Sequence, residues 1–290
     1  GFEEARTLAA DSDAVLLFLG EEAILSGEAH CRADIGLPGV QEDLIRELAQ
    51  EGKPLVLVLM AGRPLALEGI EPHVDAILYA WHPGSMGGPA IADLLFGVES
   101  PSGKLPVTFP RVTGQIPIYY SHKNTGKPAT PESFVHMDDI PPGAPQHSAG
   151  NTSFHLDAGY TPLYPFGHGL SYATFEYGNL QVDPGAVRMG EEISIRADLR
   201  NAGPVEAEEV VQLYVRDLVG SVTRPVKELK GFQRVPLGPG ESTTVTFTLH
   251  TDDLAFIGRE MRYVVEEGRF HAWIGGSSDA QLWTEFEIVS

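Results

Sequence analysis

Cysteine is almost absent from this chain: Cys31 stands alone among 290 residues. That excludes an intrachain disulfide and a cysteine-built metal site, and it leaves the redox compartment open. His30 and Arg32 beside it would favour a thiolate, but a lone Cys near a strand is ordinarily inert, and that is the expectation here. Basic residues are also scarce, with 20 Lys and Arg against 40 Asp and Glu and a formal charge of -20. Such a surface repels phosphate backbones and anionic lipid, so neither nucleic acid nor a membrane surface is an expected partner. No apolar run comes near the roughly 20 residues that a membrane-spanning helix needs. His, Asp and Glu at metal-ligand spacing and a Ser nucleophile elbow are missing too, so neither a metal nor a cofactor is expected. The chain has no initiator Met and no signal peptide. Gly1 to Arg6 reads as the middle of an amphipathic helix, so a piece of a longer polypeptide is expected.

What is present is an ordinary globular composition, 42% hydrophobic and 21% charged, in a chain long enough for two domains. Aliphatic runs at 14–19, 54–60 and 76–79 have the look of parallel strands covered on both faces. Helical spacing over 40–49, stopped by Gly52, and over 86–96, closed by Gly97, separates and follows them. This is βαβ arithmetic with right-handed crossovers, and it predicts an α/β sandwich built on a mostly parallel sheet. Over 111–174 periodicity disappears into a long loop or linker rich in Pro, Gly, His and Tyr. Within it, 129–153 is poorest in apolar residues and reads as a disordered insertion, with a glycosylation sequon at Asn151-Thr152-Ser153. From 175 to the end the period becomes two, as in Ile193, Ile195, Ala197, Leu199 and again in Val245, Phe247, Leu249. Half-buried strands of this kind, with turns at Asn201-Ala202-Gly203 and Gly238-Pro239-Gly240, predict an all-β sandwich of fibronectin type III kind. The expected domains are therefore 1–174 and 175–290, each with a complete hydrophobic pattern.

Loops at the carboxyl ends of strands in an open α/β sheet are where ligands and catalysis collect. The segment from Gly20 to Glu28 follows the first strand and carries three carboxyls. Glu28 is the candidate general acid/base, while Glu21, hard against the strand end, is suited to holding the loop by hydrogen bonds. Arg63 follows the second strand and could orient a carboxylate. Trp81, after the third strand, offers an indole that suits the apolar face of a sugar or, alternatively, core packing. Tyr119, Tyr120, His122 and Asn124 have polar tips that fit either a substrate side or interface packing. Gly167 and Gly169 read as a backbone turn, because no strand precedes them and no helix follows.

Five segments in order resemble the C-terminal half of glycoside hydrolase family 3 enzymes, bacterial periplasmic β-glucosidases above all. They are Gly20-Glu21 to Glu28-Ala29, Gly52 to Pro64, Ala90 to Gly97, Pro101 to Pro106 and Leu163 to Tyr172; Gly114 to Tyr120 adds a further match. The likeness covers essentially the whole chain except 129–153. It implies an α/β sandwich followed by a fibronectin type III-like domain. It also implies that an N-terminal (β/α)8 barrel carrying the nucleophilic Asp lies outside these residues. By position in the motif, Glu28 would be the acid/base, with Trp81 and Tyr120 as candidate substrate contacts. Arg32 and Asp34 match an Arg-x-Asp pattern for which a structural ion pair is expected. Met86 stands where relatives commonly have an acidic residue before the Gly-Gly pair. The implied activity is that of a retaining exo-β-glucosidase cleaving terminal β-D-glucosidic bonds of a β-glucoside or oligosaccharide, in the periplasm or outside the cell. A noncatalytic scaffold or carbohydrate-binding fragment, and a β-xylosidase, are the alternatives.

Overall fold

The computed structural model describes residues 1–145 and 152–290. Helix α1 (Phe2–Ala10) leads into strand β1 (Val15–Gly20), helix α2 (Gln41–Ala49) and strand β2 (Leu55–Met60), then strand β3 (Ala76–Tyr79) and helix α3 (Gly87–Leu95). The three strands form a parallel sheet in the order β1-β2-β3, with Leu17 opposite Leu57 and Leu57 opposite Ile77. Because side chains alternate along a strand, Val15, Leu17 and Leu19 share a face with Leu55, Leu57 and Leu59. That face packs on Ala5 and Ala9 of α1 and on Leu44, Ile45 and Leu48 of α2. Helix α2 was legible as a periodic apolar stripe, and Gly52 ends the turn after it at φ +66.

One expectation fails on the opposite face. Aliphatic residues at every position predicted cover on both sides, yet Leu16 and Phe18 are 43% and 51% exposed. Val58, in register with Phe18 on the neighbouring strand, is fully buried. Cover therefore runs out at β1, and the hydrophobic pattern of the first domain is not complete within these residues.

The long irregular segment is anchored at its ends. Phe109 and Tyr164 form a bridge, Leu105 N donates to His168 O, and Gly167 N donates to Leu105 O. Gly167 has φ +79, and a Cβ there would collide with the Gln212 side chain, so glycine is required twice over. In the described part of 129–153, Phe134 meets the rings of His136, Phe154 and Tyr160, while most of the other residues are exposed. The sequon at Asn151 falls outside the described residues.

From Phe175 onward the chain is a β-sandwich. One sheet holds β4 (Phe175–Asp183), β6 (Glu192–Asn201) and β9 (Ser242–His250) in the order β4-β6-β9. The other, ordered β5-β13-β12-β7-β8, holds β5 (Ala186–Arg188), β7 (Ala207–Asp217), β8 (Glu228–Leu237), β12 (Gly268–Gly275) and β13 (Trp283–Val289). Strands β10 (Phe256–Ile257) and β11 (Tyr263–Val264) make a small ribbon. The alternating residues of the sequence pattern, from Ile193 to Ile288, form the core between the sheets. Asn201 closes the turn after β6: fully buried, it donates to Val205 O and Leu237 O and accepts from Gly203 N.

The two domains meet over a polar joint. Lys104 Nζ lies 3.0 Å from Glu209 Oε1 on β7 and donates to Gly169 O, while Tyr177 Oη donates to the same carboxylate at 2.9 Å. Lys104 and Glu209 are only 12% and 5% exposed, so removing one leaves the other desolvated and unpaired. Lys104→Met is expected to cost about 3–5 kcal/mol, read as a lower urea midpoint, and Lys104→Met with Glu209→Gln should recover much of it. A midpoint unmoved by Lys104→Met would show that the joint does not rest on this pair.

Candidate active site

The segment after β1 is fixed at its foot by the strand end. Gly20 has φ +138, and its amide and carbonyl both bond the Gln41 side chain, at 2.8 and 2.9 Å. Glu21 N then donates to Met60 O, so the chain leaves the sheet alongside the end of β2. This places the Glu21 carboxylate inside the protein, its side chain fully shielded from solvent.

Two arginines neutralise it. Arg32 Nη1 lies 2.7 Å from Glu21 Oε1, and Arg63 Nε reaches the two carboxylate oxygens at 2.9 and 3.1 Å. Burial acts to raise the Glu21 pKa, but hydrogen bonds from Arg32 and Arg63 outweigh it and hold the carboxyl below its ordinary range. The free N–H groups of the guanidinia are spent on backbone. Arg63 Nη2 donates to Leu25 O and His30 O, and Arg32 Nη2 donates to Gly36 O. Tyr79 Oη on β3 donates to Arg63 O. Glu21 thus holds the loop, as its closeness to the strand suggested, and Arg63 does orient a carboxylate.

The expected Arg32–Asp34 ion pair is not the one formed. Arg32 turns back onto Glu21, and Asp34 instead accepts from Gly36 N at 2.9 Å and from Thr113 Oγ1 at 3.1 Å. Those two hydrogen bonds lower the Asp34 pKa and tie the loop to the segment beyond the α/β core. The spacing of two residues favours a local turn at Asp34 over a pair with its neighbour.

Glu28 sits between the carbonyls that Arg63 grips. It is exposed on a turn, followed by Ala29 at φ 65, and no hydrogen bond or ion pair from the described residues reaches its carboxylate. Glu22 is exposed nearby. Ser26 Oγ, two residues before Glu28, lies 3.4 Å from His82 Nε2, which brings the loop against the Trp81-His82 segment after β3. A side chain at position 62 would strike both Ser26 and His82, so Gly62 makes that approach possible. Trp81 has φ 52 and is half-buried, its ring 4.7 Å from Tyr79 and 5.9 Å from Phe109. Of the four non-glycine residues with positive φ among the described residues, Ala29 and Trp81 flank this site. Strained backbone of this kind costs of order 1–3 kcal/mol and collects at functional sites.

Tyr120 is elsewhere. Its ring stacks on Phe166 at 4.5 Å and meets Tyr214 edge-on at 5.6 Å, and its hydroxyl accepts from Leu229 N. Val226 N donates to His122 O on the same stretch. Tyr120 and the backbone at His122 and Lys123 therefore lie along the fibronectin-like domain, whereas Tyr119 and Asn124 are exposed. Sequence spacing gave no signal that the guanidinium of Arg32 joins the Glu21 centre. The open hollows on the sandwich, one lined by Met189, Asp252 and Tyr263 and the other by Glu176, Asp198 and Arg200, contain none of the candidate residues. Among the described residues no helix is long and apolar enough to cross a membrane.

Residues 1–172 match the glycosyl hydrolase family 3 C-terminal domain, and residues 209–278 match a fibronectin type III-like domain. A periplasmic β-glucosidase of Salmonella typhimurium is 42% identical over 99% of this chain, which covers 36% of that protein. A β-xylosidase of Formosa agariphila is 39% identical over 97% of the chain and 36% of its own length. The crystal structure of a β-glucosidase from Listeria innocua in complex with glucose superposes with a TM-score of 0.90 at 37% identity, over 100% of this chain and 38% of that one. The chain thus spans little more than a third of the relatives it matches, and it belongs to glycosyl hydrolase family 3, as a C-terminal part of such an enzyme.

Proposed function

We propose that this chain supplies the general acid/base, Glu28, of a retaining exo-β-glucosidase that hydrolyses terminal β-D-glucosidic bonds. A barrel domain outside these residues would supply the nucleophile, with 1–174 and 175–290 as the two domains present. The observation that carries the reading is the contrast between two carboxyls on one short loop. Glu21 is locked between Arg32 and Arg63, whereas Glu28 is exposed and unpaired on a turn whose flanks Arg63 holds. A retaining glycosidase needs two carboxyls about 5–5.5 Å apart, one attacking and one exchanging a proton with the glycosidic oxygen. An acid/base has to be free to take up and release a proton in the reaction, which a carboxylate gripped by two guanidinia is not. Trp81 lies beside the same loop through His82, which supports it as a sugar contact better than Tyr120, whose ring is already covered by Phe166 and Tyr214.

The Formosa relative named a β-xylosidase keeps β-xylosidase as a second reading. It shares the Glu28 chemistry and differs in the glycone, so a comparison of aryl β-glucoside with aryl β-xyloside separates the two. The relative named periplasmic supports a periplasmic or secreted enzyme.

In the longer parent enzyme, Glu28→Ala is expected to slow glycosides with poor leaving groups most, because activated aryl glycosides need little protonation. Azide should partly restore turnover and give a β-glycosyl azide, since a small anion can attack the glycosyl-enzyme without a general base. Rescue of Glu22→Ala in place of Glu28→Ala would move the assignment to Glu22. The 290-residue chain by itself is expected to be inactive; turnover of an aryl β-glucoside by it, abolished by Glu28→Gln, would overturn the two-part site.

Glu21→Gln is expected to act on stability. It leaves two half-buried guanidinia without their anion, at a cost of about 3 kcal/mol, the low end for a buried pair. The folded pKa of Glu21 lies below its ordinary 4.5, so its contribution is fully present above that value and is lost as pH falls through the lower folded value. The gap between the denaturation midpoints of the two proteins, measured from neutral pH to pH 3, should therefore narrow as pH falls below 4.5. A constant gap over that range would mean that Glu21 does not titrate as a bound carboxylate.

A further inference from the structure

Alternation along each strand of the sandwich sends one set of side chains into the core and the other set to the outer face. On β12 and β13 the core set is Phe270, Ala272, Ile274, Phe286 and Ile288. Arg269, His271 and Trp273 on β12, and Trp283, Glu285 and Glu287 on β13, therefore stand outside. An outer face of this kind is ordinarily polar, yet this one carries two indoles. The register extends them into an aromatic row across three strands, with Tyr214 of β7 opposite Trp273 and Trp273 opposite Trp283.

Two of the three rings are accounted for by packing. Tyr214 is fully buried, and the Tyr120 ring meets it edge-on at 5.6 Å. Trp273 is half-buried beneath Lys227, whose Nζ lies 4.7 Å from the ring centroid and donates to Ser278 O and Ala280 O. Trp283 has no such cover. It is 53% exposed, and β5 pairs with β13 only from Glu287 to Val289, so Trp283 stands beyond the end of that neighbour. The His271 ring lies 4.4 Å away at 35°, so one side of the indole leans on the imidazole and the other is open. His271 is itself lodged edge-on against Trp273 at 5.5 Å, which fixes the support.

Polar groups beside the open ring are held in place as well. Glu285, two residues on from Trp283 and on the same face, has its carboxylate 3.4 Å from His271 Nε2 and 3.6 Å from Arg269 Nη1. An exposed indole alone is unremarkable. An indole propped from behind, with an acceptor and a donor set roughly 7 Å along the strand from it, has the parts that recognise a sugar ring. A pyranose with equatorial hydroxyls lays its apolar C–H face on the indole, while its hydroxyls, each both donor and acceptor, suit a carboxylate and a guanidinium side by side.

We propose that Trp283, His271, Glu285 and Arg269 form a binding platform for a neutral polysaccharide, separate from the Glu28 loop. The formal charge of -20, together with Glu285 and Glu287 at the site, opposes an anionic polymer. A basic peptide finds Glu285 already paired with Arg269. A protein partner needs a contiguous apolar patch of several hundred Å², which one indole beside an ion pair does not supply. At an open sheet edge the ring has no wall to enclose a chain end, so it takes internal residues of a glycan that runs past it. The platform belongs to the second domain alone and does not rest on the glycosidase reading.

Affinity electrophoresis of the 290-residue chain tests this in gels holding a soluble mixed-linkage β-glucan, a soluble xylan or anionic carboxymethyl-cellulose. Retardation by at least one neutral glycan, and less by the anionic one, is expected. Trp283→Ala should weaken binding about tenfold or more, Glu285→Gln should weaken it less, and Trp283→Phe should keep part of it. Both side chains are exposed, so the melting temperature should move little in each variant. Glu28→Gln and Trp81→Ala should leave the retardation unchanged, which keeps the platform distinct from the candidate active site. No retardation by either neutral glycan, equal retardation of Trp283→Ala, or loss of retardation in Trp81→Ala overturns the proposal. So does a dimer in sedimentation that Trp283→Ala dissociates, because the indole would then belong to an interface between copies.

Discussion

A single shielded carboxylate governs the surroundings of the first strand. Glu21 has no solvent of its own, and an ionised carboxylate in that position is several kcal/mol too costly unless it is paired and hydrogen-bonded. Arg32 and Arg63 meet that demand from two directions. Once their charged edges are fixed on Glu21, their remaining N–H groups have set directions, and these meet Leu25 O, His30 O and Gly36 O. An electrostatic requirement at the root of the loop thereby specifies the backbone path farther along it. Arg63 is held in turn through its own carbonyl by Tyr79, so three successive strand ends share in shaping one loop.

The same arrangement separates two residues of identical type. Glu21 and Glu28 are seven positions apart, and each is a glutamate on a polar loop. One is given two cations and loses the ability to take up a proton near neutrality; the other is given none and stays open to whatever approaches. Environment, more than residue identity, divides a structural carboxyl from a chemical one. The left-handed backbone at Ala29 and Trp81 lies on the chemical side of that division, where strain is tolerated because the Glu21 centre and the Tyr79–Trp81–Phe109 packing hold the segments around it.

Alternating residues report their own burial, so most of the sandwich core was legible from Ile193 to Ile288, and helical stripes revealed α2 and α3 equally well. Strands β4 and β8 were not, since β4 is broken at Gly178–Gln181 by a register shift and β8 is an edge strand bearing Lys230 and Arg234. The candidate loop was legible in its position and its carboxyls. Its pairing was not: Asp34 finds Thr113 across 79 positions of sequence, and Arg32 folds back on Glu21 across 11. Tyr120 illustrates the same limit, because a polar-tipped ring suits a sugar or a domain joint equally well until Phe166 and Tyr214 are seen against it. Local pattern identifies which faces are apolar; it is silent on which distant segment covers them.

That silence matters most at β1. A strand aliphatic at every position was read as covered on both faces, and the pattern correctly states what the strand requires, although these residues meet only half of the requirement. The uncovered face and the unpaired carboxyl belong to the same strand and its following loop. On the proposed reading, Glu28 is completed from outside by a nucleophile and a sugar. The Glu21–Arg32–Arg63 centre fixes the path of the Glu28 loop from below, so the loop is shaped before either of those partners arrives.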